Sequence, residues 1–340
     1  MQASRRQFMC GAAASLLLPQ LALADGTLVV GTWGGDYGDL LRRAVDDTLM
    51  RAQGIRVTQE IGSPMQRRTK LLAERHARRA SLDVACLADF DMNAGNQAGA
   101  LAPIGAADVP RTAQVLPFLK KGYSIPHIYS AHVIVYNTQF VKTPPKSFAD
   151  LWDPKYKGKV GLSDFLYVTN TVVAAVVGGG SPTDLRPAQT QLSAWRKNDV
   201  KVLPSTEAVA AALKSGEIWF TVIAAARAYM WNKAGAPVAF VVPEEGAFPT
   251  TYEAGVVKNA RNKAQAFKYL NAMLSVEAQT AYAERMGYLP TVTDAKLPPD
   301  LEKKIGFTES ERNRLWKLDL AYLNAQQSSM LDFWNKSVKA

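Results

Sequence analysis

The sequence predicts an α/β protein built as two lobes, each a mostly parallel sheet with helices on both faces. Two observations carry this. Short β-branched runs alternate with stretches of helical periodicity, the pattern of strands joined by crossover helices. The chain also has 340 residues, beyond the roughly 250 to 300 at which one hydrophobic core usually divides. There is no internal repeat, low-complexity tract or charged tail to interrupt the alternation.

In chain order, the runs that read as strands are 27–33, 55–61, 82–87, 133–136, 159–162, 200–203, 218–223 and 238–242. The stretch VGTWGGDYGDLLRRAV, 30–45, passes from the first strand through a glycine pair into an amphipathic helix. Residues 66–79, QRRTKLLAERHARR, read as a helix with Met65, Leu71 and Leu72 turned inward and the arginines solvated. Pro144-Pro145 and 178–182 read as loops within a lobe rather than linkers. After Gly287 the chain turns at Pro290 and Pro298-Pro299, then becomes helical over about 309–334.

The first residues set the compartment. Ser4-Arg5-Arg6-Gln7-Phe8 is a twin-arginine pattern, followed by an apolar run over 11–24 that is shorter than the ~20 residues needed to span a bilayer. Ala22-Leu23-Ala24 supplies small residues at a cleavage point before Asp25, so 1–24 read as an export leader and the mature chain as soluble and periplasmic. Cleavage removes Cys10 and two arginines, leaving Cys86 alone and lowering the formal charge from +10 to +8. No intramolecular disulfide is then available, and about 316 residues must be held by their core. The positive balance steers anionic partners, but an exported chain with a solvated basic helix does not read as a nucleic-acid binder.

The glycine pair admits an enzyme reading, which fails on its requirements. A nucleotide-binding loop needs a lysine and hydroxyl after its last glycine, or a third glycine at dinucleotide spacing. Gly34-Gly35-Asp36-Tyr37-Gly38-Asp39 has neither and places a carboxylate where phosphate would sit. G-x-S-x-G, H-E-x-x-H and C-x-x-C are all absent. His76, His127 and His132 leave little for acid–base work, and no cluster of metal ligands can be assembled around Asp89-Phe90-Asp91. No cofactor is expected. In a doubly wound sheet the ligand lies beyond the carboxyl ends of the strands. Those ends carry Trp33, Gly34, Gly35 and Asp36; Asp89 and Phe90; Ser163 and Asp164; Ser205 and Thr206. Singly, Asp36, Asp91, Ser205 and Thr206 also read as helix caps and Trp33 as core; their joint placement is what marks a site.

An ordered set of segments completes the picture. Ile125-Pro126, Val135-Tyr136-Asn137-Thr138, the run 147–154 (SFADLWDP), Lys157-Gly158-Lys159-Val160, Leu213-Lys214-Ser215-Gly216-Glu217, Pro243-Glu244-Glu245-Gly246-Ala247 and Gly287-Tyr288-Leu289-Pro290 together resemble the periplasmic solute-binding proteins of ABC importers. The branch they resemble is that of the spermidine/putrescine-binding proteins. The resemblance implies a type II two-lobed fold whose chain crosses near Ser130, Thr250 and Gly287. It divides into 25–130 plus 251–288 and 131–250 plus 289–340, closing on solute by a hinge. It also implies a monomer that hands its solute to an inner-membrane permease and does no chemistry.

The family's polyamine cage is mostly replaced. Where that branch carries a tryptophan and an aspartate, this chain has Thr250 and Tyr252. A second cage carboxylate falls on Tyr167, and an aromatic platform falls on Ala224-Ala225-Ala226-Arg227. A guanidinium at that strand end grips a carboxylate or phosphonate through paired hydrogen bonds. The expected solute is therefore anionic or zwitterionic, its amine meeting Asp36, Asp89 or Asp164. Trp33 and Tyr129 are expected as walls. Gly34, Phe90, His132, Thr169, Asn170, Ser205, Thr206 and Tyr252 are expected as further contacts, with Arg227 as the anchor. A polyamine binder and, more remotely, a periplasmic enzyme using the Asp89 and Asp164 carboxylates stay open as alternatives.

Overall fold

The computed structural model describes residues 27–339, and the expected leader, 1–24, lies outside them. Ten strands form: β1 Leu28–Thr32, β2 Val57–Ile61, β3 Val84–Ala88, β4 Ile125–Asn137, β5 Gly161–Ser163, β6 Lys201–Leu203, β7 Phe220–Ala224, β8 Val238–Val241, β9 Phe248–Val256 and β10 Leu289–Pro290. The β-branched runs named from sequence fall on β1 to β8. β9 was not foreseen, and β4 is three times as long as its legible part.

The topology turns on those two strands. β1 pairs in parallel with β2 and β3, β9 joins β3 antiparallel, and the first half of β4 joins β9 antiparallel. The second half of β4 then pairs antiparallel with β7 and β8, while β5 and β6 pair in parallel and touch β7 through a bridge at Val160–Phe220. In the first half of the molecule β2, β1, β3 and β4 point one way; in the second, β6, β5, β7 and β8 do. The strands linked by crossover helices are the parallel ones. β4 belongs to both halves, and all thirteen of its residues are buried.

Local chemistry explains why β4 and β9 are hard to see. Pro126 offers no N–H to the ladder, and the register shifts between Pro126 and Ile128, the kind of irregularity at which a strand tolerates proline. Polar residues at 127, 130 and 132 dilute the apolar run although each is buried. In β9, Pro249 and Gly255 punctuate the sequence like a loop.

Two cores result. One lies under β1, β3, β9 and the start of β4, covered by the helices Gly35–Leu41, Lys263–Met273 and Val276–Met286. The other lies around β5, β7 and the end of β4, where Trp152 and Trp195 stack at 3.8 Å and Trp334 is fully buried. Cys86 sits in the first core with no exposure, and burial pushes its thiol up to about 12. The expected helix over 309–334 is broken. A short turn, Glu309–Asn313, is followed by an extended link in which Leu315 bridges Ala247 and the Trp316 Nε1 donates to the Glu245 carbonyl at 2.7 Å. Only then does Leu320–Phe333 form, packed against both Asp89–Gln97 and Tyr167–Val177.

Candidate functional site

The glycine pair works by conformation rather than by phosphate contact. Gly35 opens the helix Gly35–Leu41 at φ +60, a left-handed geometry costly for a side chain. A Cβ on Gly38 would lie 2.5 Å from the Trp33 carbonyl, so the helix packs directly beneath that residue. Trp33 is thereby fixed at the tip of β1, edge-on to Tyr37 at 4.8 Å and to Tyr252 at 5.1 Å.

Tyr252 extends the aromatic chain to Tyr288, 5.3 Å between ring centroids, with the two phenol oxygens 3.5 Å apart. Arg227 stands at the far end of it. Burial alone would depress its guanidinium, but Tyr288, Tyr252 and Glu207 together hold it above its ordinary value. Its Nη1 donates to the Met230 sulfur at 3.8 Å. Among the described residues no carboxylate comes within the 4.0 Å of an ion pair with it. The neighbouring Ala226 N–H donates to the Ser130 hydroxyl at 3.3 Å, tying this helix start to β4. Ser130 pairs with Thr250, and Ile128 with Tyr252. Residues two apart on a strand share a face, so Ser130 and Tyr252 lie on the same side of the sheet.

Asp89 supplies the acid. Buried at the tip of β3, it accepts from the Phe90 N–H at 2.8 Å and from the Thr251 N–H at 3.2 Å, which links β3 to β9. Burial is the main cause that pushes its carboxyl up to about 7; Lys121 pulls it down and Glu253 pushes it up. Lys121 and Glu253 themselves pair at 2.5 Å.

Arg67 is the residue sequence reasoning missed. It belongs to the helix Pro64–Ala73, whose arginines were expected outside, yet it is 2% exposed while Met65 is 76% exposed. The physical reason is helix phase: Arg67 lies one turn before Leu71, which is also 2% exposed, on the inward stripe. Its guanidinium donates to the Cys86 carbonyl at 2.9 Å, the Thr32 carbonyl at 3.0 Å and the Gly62 carbonyl, and sits 4.2 Å over the Trp33 ring. It therefore binds the tips of β1 and β3 to the loop after β2. Its Nη2 is buried with no partner among the described residues. The i, i+4 relation to Leu71 was the available signal.

The remaining expected residues divide. Trp33, Tyr252, Asp89 and Arg227 come together. His132 and Thr169 form a second group: the Thr169 hydroxyl meets His132 Nδ1 at 2.9 Å, His132 stacks on Phe248, and burial pushes its imidazole down to about 4. Asn170, next along the helix Tyr167–Val177, is fully buried, and neither its side-chain oxygen nor its nitrogen has a partner among the described residues. Thr206 opens the helix Thr206–Ser215, whose Glu207 lies in the field of Arg227, while the Ser205 hydroxyl caps that helix by accepting from Ala208 at 3.1 Å.

Others point elsewhere. Tyr129 alternates to the opposite face of β4 from Tyr252 and meets Phe118 at 5.9 Å. Asp36 is a surface partner of Arg285 at 3.3 Å. Asp164 is taken up by the C-terminal segment, through Trp334 Nε1 at 2.9 Å and Lys339 Nζ at 2.5 Å. The Phe90 carbonyl accepts from Asn324 at 3.2 Å, and the Tyr167 hydroxyl from Gln327 at 3.0 Å. Gly34 precedes the helix in extended backbone, where a Cβ would touch Ile61 at 3.0 Å.

Comparisons with known proteins agree with this architecture. The chain is 28% identical over 232 residues to the spermidine/putrescine-binding periplasmic protein of Escherichia coli (strain K12), and the match covers 64% of each chain. It is 24% identical over 230 residues to a Salmonella typhimurium (strain LT2) periplasmic protein named for 2-aminoethylphosphonate binding, covering 66% of this chain and 68% of that one. The crystal structure of an ABC transporter protein from Clostridium perfringens ATCC 13124 superposes with a TM-score of 0.78 at 24% identity, covering 92% of this chain and 100% of that one. A family profile described as bacterial extracellular solute-binding protein matches residues 44–309, and the chain belongs to that family.

Proposed function

We propose that this chain is the solute-binding component of an ABC importer. It captures a small anionic or zwitterionic organic solute, a carboxylate or phosphonate with or without an amine, and delivers it to an inner-membrane permease. The lobes are 25–130 plus 251–288 and 131–250 plus 289–340, and they close about the β4–β9 pair near Ser130 and Thr250. The twin-arginine leader sends the chain to the periplasm, where it acts as a monomer. Periplasmic names of the relatives support that location.

The observation that carries the solute class is Arg227, a half-buried guanidinium with no carboxylate in an ion pair with it among the described residues. Burying a charge without its counter-ion is unfavourable, and a solute anion would supply that counter-ion. Asp89, on the other side of Tyr252, would take the amine, with Trp33, Tyr252 and Tyr288 as the wall between.

A polyamine reading draws on the E. coli relative's name. Against it, Asp164 and Tyr167 are both engaged by the C-terminal segment. Calorimetry with 2-aminoethylphosphonate, 4-aminobutanoate and putrescine decides between them. We expect a zwitterion to bind and Arg227→Ala to weaken it tenfold or more, given that a charge-assisted contact contributes about 1.5–3 kcal/mol. Binding of putrescine alone, or an affinity indifferent to Arg227→Ala, sinks the anion reading. Turnover of the bound compound would sink the transport role.

A further inference from the structure

The basic run 66–79 is only partly used by the site: Arg67 turns inward, but the run ends in Arg78 and Arg79 at the opposite pole. There, beyond the N-terminal ends of β1 and β3, they meet a second basic stretch, Lys258, Arg261 and Lys263, that follows β9. Together they wall an open concavity of about 590 Å3. That is well within the size of small-ligand sites.

The two stretches are locked in place. Asn259 Nδ2 donates to the Glu74 carbonyl at 2.9 Å and to the Ala77 carbonyl at 2.6 Å, and the Ala80 N–H donates to the Asn259 carbonyl at 3.1 Å. Asn262 Nδ2 reaches the Thr27 carbonyl at 3.3 Å. Among the described residues, Asp83 is the one acid in the wall. It is 2% exposed, and its oxygens are taken by the Val29 N–H at 2.9 Å, the Asn262 N–H at 2.9 Å and Asn262 Nδ2 at 3.1 Å. All five cations are exposed, and none makes an ion pair with any described carboxylate.

Five like charges held around one hollow repel one another, and a multiply charged oxyanion is the partner that relieves this. Arginine forks match phosphate oxygens in paired hydrogen bonds, and lysines add point charge. We propose that this concavity is a second anion site, specific for a phosphate-bearing group and separate from the solute site at the other ends of the same strands. The phosphate is either that of a small soluble molecule or that of an anionic lipid headgroup.

The test uses the full mature chain at low salt. Pyrophosphate binding is measured by calorimetry, and co-sedimentation is measured with phosphatidylglycerol and with phosphatidylcholine vesicles. Three proteins are compared: the parent, Arg78→Glu/Arg261→Glu, and Lys142→Glu/Lys146→Glu, which makes the same change in net charge on another surface. Saturable pyrophosphate binding, weakened at least tenfold in the first variant and retained in the second, supports the site with a soluble source. Sedimentation with phosphatidylglycerol alone, lost in the first variant and kept in the second, supports it with a membrane source. No binding to either probe, or equal loss in both variants, overturns it. Because every substituted side chain is exposed, the thermal midpoint and zwitterion binding should not move.

Discussion

The two ends of β1 and β3 use positive charge in opposite ways. At the C-terminal ends, Arg67 is buried against backbone carbonyls and Arg227 is half-buried beside two tyrosines. At the N-terminal ends, five cations stand in water around an open hollow. A desolvated guanidinium is costly unless every donor is met, so its position is dictated closely and its removal is felt. A solvated one is mobile, screened by salt and cheap to remove. The first arrangement suits recognition of one solute in one pose; the second suits attraction of a class.

This contrast can be broken most sharply at Arg67. Arg67→Ala removes the donor that three strand-tip carbonyls share; the Thr32 carbonyl keeps the Gly62 N–H at 3.3 Å, and each carbonyl left unmet costs about 1–3 kcal/mol. The expected loss is about 3 kcal/mol or more, read as a drop in thermal midpoint of about 6 °C or more. A drop under 2 °C would show that these tips hold together without it. Next in size is Asp89. Its carboxyl is raised in the folded chain, so the native state holds its proton more tightly than the unfolded state does. Stability from this group is therefore full below the unfolded value and is lost as pH rises through about 7. Asp89→Asn should melt higher than the parent at pH 8, with the gap closing toward pH 4, and it should lose affinity for an amine-bearing solute. A gap that is constant with pH would mean that burial does not govern this carboxyl. Smallest is Arg78→Ala, expected to change stability by less than about 0.5 kcal/mol in chemical denaturation. A larger change would erase the distinction between the two ends.

How much of this was legible in the sequence depended on whether chemistry and pattern agreed. The tips of β1 and β3 were readable because Trp33 and Asp89 follow clean apolar runs. β9 was not, because Pro249 and Gly255 look like punctuation, and only its pairing with both β3 and β4 makes it a strand. Arg67 was read as solvated because side-chain type outweighed its place one turn before Leu71. Asp164 followed its strand as expected, but nothing local announces that Trp334 and Lys339 return from the far end of the chain to claim it. Long-range partners of this kind are a property of the fold, not of the neighbouring residues.

The C-terminal helix Leu320–Phe333 carries one more consequence. Arg68 donates to the Gln327 side-chain oxygen at 3.0 Å, and the Gln327 nitrogen donates to the Tyr167 hydroxyl at 3.0 Å, so a single glutamine spans from one half of the molecule to the other. If the two halves hinge apart as proposed, this clasp of protein atoms favours the closed form before solute arrives. Solute entry would then draw on a minority population, and the measured affinity would be lowered by that fraction. Cutting the clasp at Gln327 would then trade that resting shape for faster capture and a tighter apparent grip.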